Sequence, residues 1–201
     1  MEKNTSFNFA NGYDENQIIN LFKWGEYNKC LQLCDEFISD NPTNKMAIEY
    51  KAICLLKTGY YEKAIKIYNG LIELDANFTH YVFRGDCYYG LRIFDKALAD
   101  FIKALEIDSK AGSCWQRIAE TYFMMGNFTE AHVNIDRAIK ISNYLRDPWG
   151  FKALFYKLEG KLDEANKVFS EIRKKYPDDD LMLDQQFEIL YNSLNQNKSN
   201  N

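Results

Sequence analysis

The chain has 201 residues, 46% of them hydrophobic and 15% aromatic, and a formal net charge of −4. This gives ample apolar surface for a continuous core and no excess of positive charge to attract nucleic acid. It contains no apolar run long enough to span a membrane.

In chain order, the opening MEKNTSFNFA lacks the apolar segment of a secretory signal and is expected to be a flexible tail over 1–10. From 11 to 179 a helical pattern recurs without a linker, in units of about 11–44, 45–77, 78–111, 112–145 and 146–179. The first unit is degenerate: Asp14 and Gln17 sit where large apolar residues are usual in units of this kind. The fourth is the clearest. Trp115, Ile118, Ala119 and Tyr122 fall on one helical face, and Ala131, Ile135, Ala138 and Ile139 fall on another after a turn. Ser113 with Gln116 suits a capping box. Asp147 before Pro148 suits an N-cap followed by the first helical position of the fifth unit. Beyond it, Leu183, Phe187, Leu190 and Leu194 form one apolar stripe, so a capping helix is expected over 180–195. It would cover Ala165, Val168, Phe169 and Ile172. Residues 196–201 are polar and read as a disordered tail.

The recurrence has a fixed period. GEYNKC begins at Gly25, GYYEKA at Gly59, RIFDKA at Arg92, GNFTEA at Gly126 and GKLDEA at Gly160. The bulky residues Tyr27, Tyr61, Phe94, Phe128 and Leu162 are spaced by 34, 33, 34 and 34. The small residues Cys30, Ala64, Ala97, Ala131 and Ala165 keep the same steps, as do the closing Pro42, Ala76, Ser109, Asn143 and Pro177. Three columns in one register predict stacked helix pairs, because a lone pair cannot bury its apolar face.

These units resemble tetratricopeptide repeats. The fourth supplies Trp115, Ile118, Ala119, Tyr122, Ala131, Ile135 and Ala138, and the fifth Trp149, Ala153, Tyr156, Ala165, Phe169 and Pro177. The third supplies Gly85, Tyr88, Ala97, Phe101 and Ala104, and the second Ala52, Leu55, Ala64 and Tyr68. The resemblance implies an all-α, right-handed superhelix of about five helix-pair repeats plus the C-terminal capping helix. It also implies that the first helix of each pair lines a concave groove. By register, Glu15, Ile19, Tyr50, Ile53, Phe83, Asp86, Arg117, Glu120, Phe151 and Leu154 are expected to face inward. The last eight are the candidate partner-binding residues.

Little else points to chemistry. Cys30, Cys34, Cys54, Cys87 and Cys114 read as reduced, packed thiols in an intracellular, cytoplasmic protein. His80 and His132 have no companion at a metal-ligand spacing, and no phosphate-binding glycine loop occurs. No catalytic residue, metal or cofactor is expected. The expected function is a scaffold or adaptor that holds an apolar or aromatic peptide or helix of a partner protein in the groove. The alternative is a small structural subunit of a larger assembly. A chaperone cofactor is disfavoured: the carboxylate-gripping positions of that class fall on Glu49, Ile53, Phe83, Ser113 and Arg117, and only Arg117 suits a carboxylate. A protein or peptide partner is expected, with neither nucleic acid nor membrane insertion, and a monomer is slightly favoured. Partner, pathway and regulation are not legible.

Overall fold

The computed structural model describes residues 15–142 and 147–177. Ten α-helices and no strand occur among the described residues: α1 (Glu15–Lys23), α2 (Tyr27–Asp40), α3 (Lys45–Lys57), α4 (Tyr61–Leu74), α5 (Phe78–Gly90), α6 (Phe94–Ile107), α7 (Gly112–Met124), α8 (Phe128–Ile141), α9 (Asp147–Leu158) and α10 (Leu162–Lys175). The expected tails and the capping helix over 180–195 lie outside the described residues.

The turn inside each pair explains the repeated glycine. Gly25, Gly59, Gly126 and Gly160 have φ between +75° and +80°, a left-handed conformation that costs glycine no Cβ clash. Each closes its helix with two bonds that satisfy otherwise orphaned carbonyls. Gly25 N–H donates to Phe22 O at 3.0 Å and Glu26 N–H to Leu21 O at 2.9 Å. The same two bonds recur after α3, α5, α7 and α9. After α5 the left-handed residue is Arg92, with φ of 60°.

Helix starts are capped less regularly. Asn44, Asn77 and Asn127 accept from Ala47, His80 and Glu130 N–H groups. The capping box expected at Ser113 is not formed. α7 begins at Gly112 after Ala111, whose side chain makes no cap bond. A Cβ on Gly112 would stand 1.9 Å from Ser142 Oγ, so close approach decides this start. Asp147 is the first residue of α9 rather than its cap, with Pro148 next and buried.

The chain divides into two compact units between Asp100 and Phe101, within α6. In the first, α1 packs on α2 and α3, and α3 on α4 and α5. Its core begins with Ile18, Cys30, Leu33, Cys34, Phe37, Ala47 and Cys54. It continues with Ala52, Leu55, Ala64, Tyr68, Leu71 and Cys87. In the second, α7 packs on α8 and α9, and α9 on α8 and α10. Its core joins Ala119, Phe123, Ala131, Ile135, Ala138 and Phe155, then Ala153, Leu154, Val168 and Ile172. The small-residue column is at most 2% exposed throughout, as close helix approach requires. Within each unit the first helices of successive pairs touch: α1 on α3, α3 on α5, and α7 on α9.

Candidate partner-binding surface

The first unit builds a pocket of about 260 Å³ from α3, α4, α5 and the connection between α4 and α5. Its lining is Glu49, Ile53, Tyr68, Asn77, Thr79, His80 and Phe83. Glu49 and Ile53 lie one turn apart on α3, and Thr79 and Phe83 one turn apart on α5. Asn77 fixes the entry to α5: its Oδ1 accepts from His80 N–H at 3.0 Å. His80 is buried, and its Nδ1 lies 2.9 Å from the Asp75 carbonyl. A carbonyl only accepts, so Nδ1 carries a proton and donates to it, leaving Nε2 to face the other side chains. That nitrogen lies 3.3 Å from both Asn77 Nδ2 and Glu49 Oε1.

The remaining polar groups differ in how well they are matched. Lys45 Nζ is 2.8 Å from Asp75 Oδ2 and 3.9 Å from Glu49 Oε1. The Asp75 bond raises the lysine pKa, and the same bond lowers that of Asp75. The Tyr68 hydroxyl is buried without a hydrogen-bond partner among the described residues. Burial first, then the charges of Cys87, Asp86 and Glu49, keeps this phenol well above its ordinary pKa. It is therefore a neutral, buried hydroxyl on a residue that lines the pocket.

The expected groove residues divide by burial. Tyr50, Ile53, Phe83 and Asp86 are half-buried. Tyr50 meets Phe22 edge-on at 5.4 Å, and Phe83 lies 6.0 Å from the Tyr68 ring. Ile53 and Phe83 share the pocket while also leaning on the core. In the second unit, Arg117 and Phe151 are half-buried. Two residues depart from the expectation of an exposed face. Leu154 is 0% exposed and packs with Ala153, Val168 and Ile172. Glu120 is 4% exposed, accepting from Gln116 Nε2 at 2.9 Å and from Arg117 Nη1 at 3.4 Å. Their side chains are covered by neighbours within their own unit. Glu15 is exposed and accepts from Asn44 at 3.2 Å, and Ile19 is half-buried.

Tyr68, Asn77, Thr79 and His80 were not among the expected site residues. The available signal was the register itself: a step of one repeat brings the start of α5 beside the middle of α3.

Two family models, each described as tetratricopeptide repeat, match residues 51–78 and 152–179. The crystal structure of TTC0263, a thermophilic TPR protein in Thermus thermophilus, is similar with a TM-score of 0.72. It is 19% identical, over 86% of this chain and 94% of that one. The chain carries tetratricopeptide repeats at 51–78 and 152–179. MamA 41-end from Desulfovibrio magneticus RS-1 has a TM-score of 0.60 at 19% identity, covering 65% of this chain and 74% of that one. At these identities the likeness shows the fold alone, that of an all-helical tetratricopeptide solenoid.

A curated relative, serine/threonine-protein phosphatase 5 of Homo sapiens, is 31% identical over 112 residues, 55% of this chain. The chain spans about a fifth of that protein's length, so the activity in its name is not transferred. Tetratricopeptide arrays are protein–protein interaction scaffolds, typically without catalysis. Among the described residues no group of His, Cys, Asp and Glu could hold a metal, and no helix is long and apolar enough to cross a membrane.

Proposed function

We propose that this tetratricopeptide chain is an adaptor that holds an apolar or aromatic segment of a partner protein against its first-helix face. The observation that carries the reading is the half-buried trio Tyr50, Ile53 and Phe83 on the touching helices α3 and α5. Aromatic side chains that are partly covered before binding lose little freedom on docking, and such anchors dominate interface energies. Arg117 is already engaged by Glu120 at 3.4 Å, which weakens any reading based on capture of an acidic terminus. The five buried free thiols support a reducing, cytoplasmic setting. The array is read as 11–179 and as a monomer.

The experiment is selection of binding peptides from a random display library on the full chain. Enrichment of apolar and aromatic sequences is expected. Phe83→Ala should weaken the selected peptides by about 1–3 kcal/mol, whereas Lys63→Ala on the exposed side of α4 should leave them unchanged. Thermal melts accompany both variants, because Phe83 also packs on Tyr68. Acidic C-terminal sequences as the main enriched class would overturn the proposal.

A second reading, a subunit covered within a larger assembly, is favoured by Trp24 and Leu74, which are 72% and 86% exposed. Light scattering on the purified chain separates the two: the adaptor reading expects a monodisperse monomer, and the subunit reading expects self-association.

A further inference from the structure

The polar lining of the first-unit pocket is not explained by an apolar ligand. Glu49 Oε1 is an acceptor, 3.3 Å from Nε2 of His80, whose ring bonds the Asp75 carbonyl through Nδ1. The Tyr68 hydroxyl, on a side chain 1% exposed, has no partner among the described residues. The Thr79 side chain completes the lining from α5. Acceptors thus converge from three helices on one small space.

We infer that this pocket takes the ammonium head of a lysine side chain presented by the partner segment, an inference that rests on the adaptor reading above. Size supports one side chain rather than a free small molecule. Pockets for drug-sized ligands run to about 300–1,000 Å³, and this one holds about 260 Å³. Ile53 and Phe83 supply apolar walls for the four-carbon stem, and the Phe83 and Tyr68 rings offer faces that attract a cation. The head then meets the Glu49 carboxylate and the lone pair of the Tyr68 oxygen. An ammonium, with three donors pointing apart, suits acceptors arriving from α3, α4 and α5. A planar guanidinium matches a single carboxylate edge better. A carboxylate ligand would meet the like charge of Glu49, which lines the pocket. The chain's own Lys45 does not fill the role. Its exposed ammonium is bonded to Asp75 at 2.8 Å and stays 3.9 Å from Glu49.

The test uses the full chain and peptides selected on it from a random display library, with affinities read by fluorescence anisotropy. The expected motif is one lysine at a fixed spacing from apolar or aromatic residues. Replacing that lysine by norleucine should weaken binding by roughly tenfold, in the range of a hydrogen bond to a charged group. On Glu49→Gln the lysine and norleucine peptides should bind alike. On Tyr68→Phe, which keeps the ring and the packing, the lysine peptide should weaken while the norleucine peptide is unaffected. Apolar peptides with no lysine preference, or a lysine-to-norleucine effect that survives Glu49→Gln, would overturn this inference and leave the adaptor reading standing. Arginine enriched in place of lysine would also overturn it. Acidic C-terminal peptides, or no enrichment at all, would overturn both.

Discussion

The two units carry the same repeat column in different environments. Ile53, Asp86, Glu120 and Leu154 are spaced by 33, 34 and 34 residues and occupy equivalent places on the first helices. In the first unit Ile53 and Asp86 are half-buried, and Ile53 faces a pocket. In the second unit Glu120 and Leu154 are covered, one by Arg117 and Gln116, the other by α10. The neighbouring column, Tyr50, Phe83, Arg117 and Phe151, is half-buried in both. Register therefore fixes a residue's place on its helix. Whether its side chain stays available depends on what the adjoining helices put over it.

The sharpest way to break this contrast is to truncate both ends of the column. Leu154→Ala removes a fully buried side chain from a closed core and should cost about 2–5 kcal/mol. Ile53→Ala opens onto an existing pocket, so less cavity is created, and the cost should be about 1 kcal/mol. Urea unfolding followed by circular dichroism measures both. Equal losses would mean that Ile53 is as enclosed as Leu154 and that the first-unit face is not distinct.

The acidic residues give a smaller version of the same comparison. Glu120→Ala leaves Gln116 and Arg117 without a nine-tenths-buried acceptor and should cost about 1–3 kcal/mol. Glu49→Gln sits at a pocket edge with its side chain 35% exposed, and should change stability by less than about 0.5 kcal/mol. A large loss at Glu49 would recast its bond with His80 as a structural tie rather than part of a binding lining.

Much of this architecture was legible because the constraints behind it are local. A left-handed turn selects glycine, a close helix crossing selects alanine or cysteine, and both recur at the repeat period, so the helix pairs could be read from the chain. Burial of Leu154 was not legible, because it depends on side chains of α10, and that of Glu120 was not, because periodicity does not show the bonds from Gln116 and Arg117. The same holds for the start of α7. Ser113 offers good cap chemistry, yet the approach of Gly112 to Ser142 sets the boundary two residues earlier. The pocket around His80 was missed for a related reason. Glu49 lies 31 residues away from it, and only the contact of α3 with α5 makes them neighbours.

Tyr68→Phe tests the buried hydroxyl directly. A buried polar group without a partner costs about 1–3 kcal/mol, so its removal should stabilise the chain by about 1 kcal/mol. The effect should grow in alkali. The folded phenol is held above its ordinary value of 10.0, so above about pH 10 the unfolded chain releases a proton that the folded chain keeps. Stability then falls as pH rises, and the variant lacks this contribution. Melts of both proteins at pH 7.5 and 10.5 read the difference, with the buried thiols cancelling between them. A destabilised variant would show that the hydroxyl has a partner in solution.

The smallest effect concerns the one turn where the first unit breaks the glycine column. Arg92 holds φ of 60° where Gly25, Gly59, Gly126 and Gly160 hold φ near +80°. A left-handed residue with a Cβ carries a cost of roughly 1–2 kcal/mol, which Arg92→Gly would relieve. Two terms oppose the gain. Glycine has more freedom to lose on folding, worth about 0.4–1 kcal/mol, and the Arg92 guanidinium lies 5.7 Å from the Phe94 ring centroid, a contact worth about 0.5–1 kcal/mol when exposed. At central values the terms nearly cancel, and any stabilisation should not exceed about 1 kcal/mol. Gly126→Ala in the second unit isolates the conformational part, since its added Cβ would meet nothing within 4 Å, and it should destabilise by about 1 kcal/mol. If Arg92→Gly instead destabilises while Gly126→Ala behaves as expected, the arginine's contacts outweigh its strain. The break in the column would then be a feature that the first unit uses, not one that it tolerates.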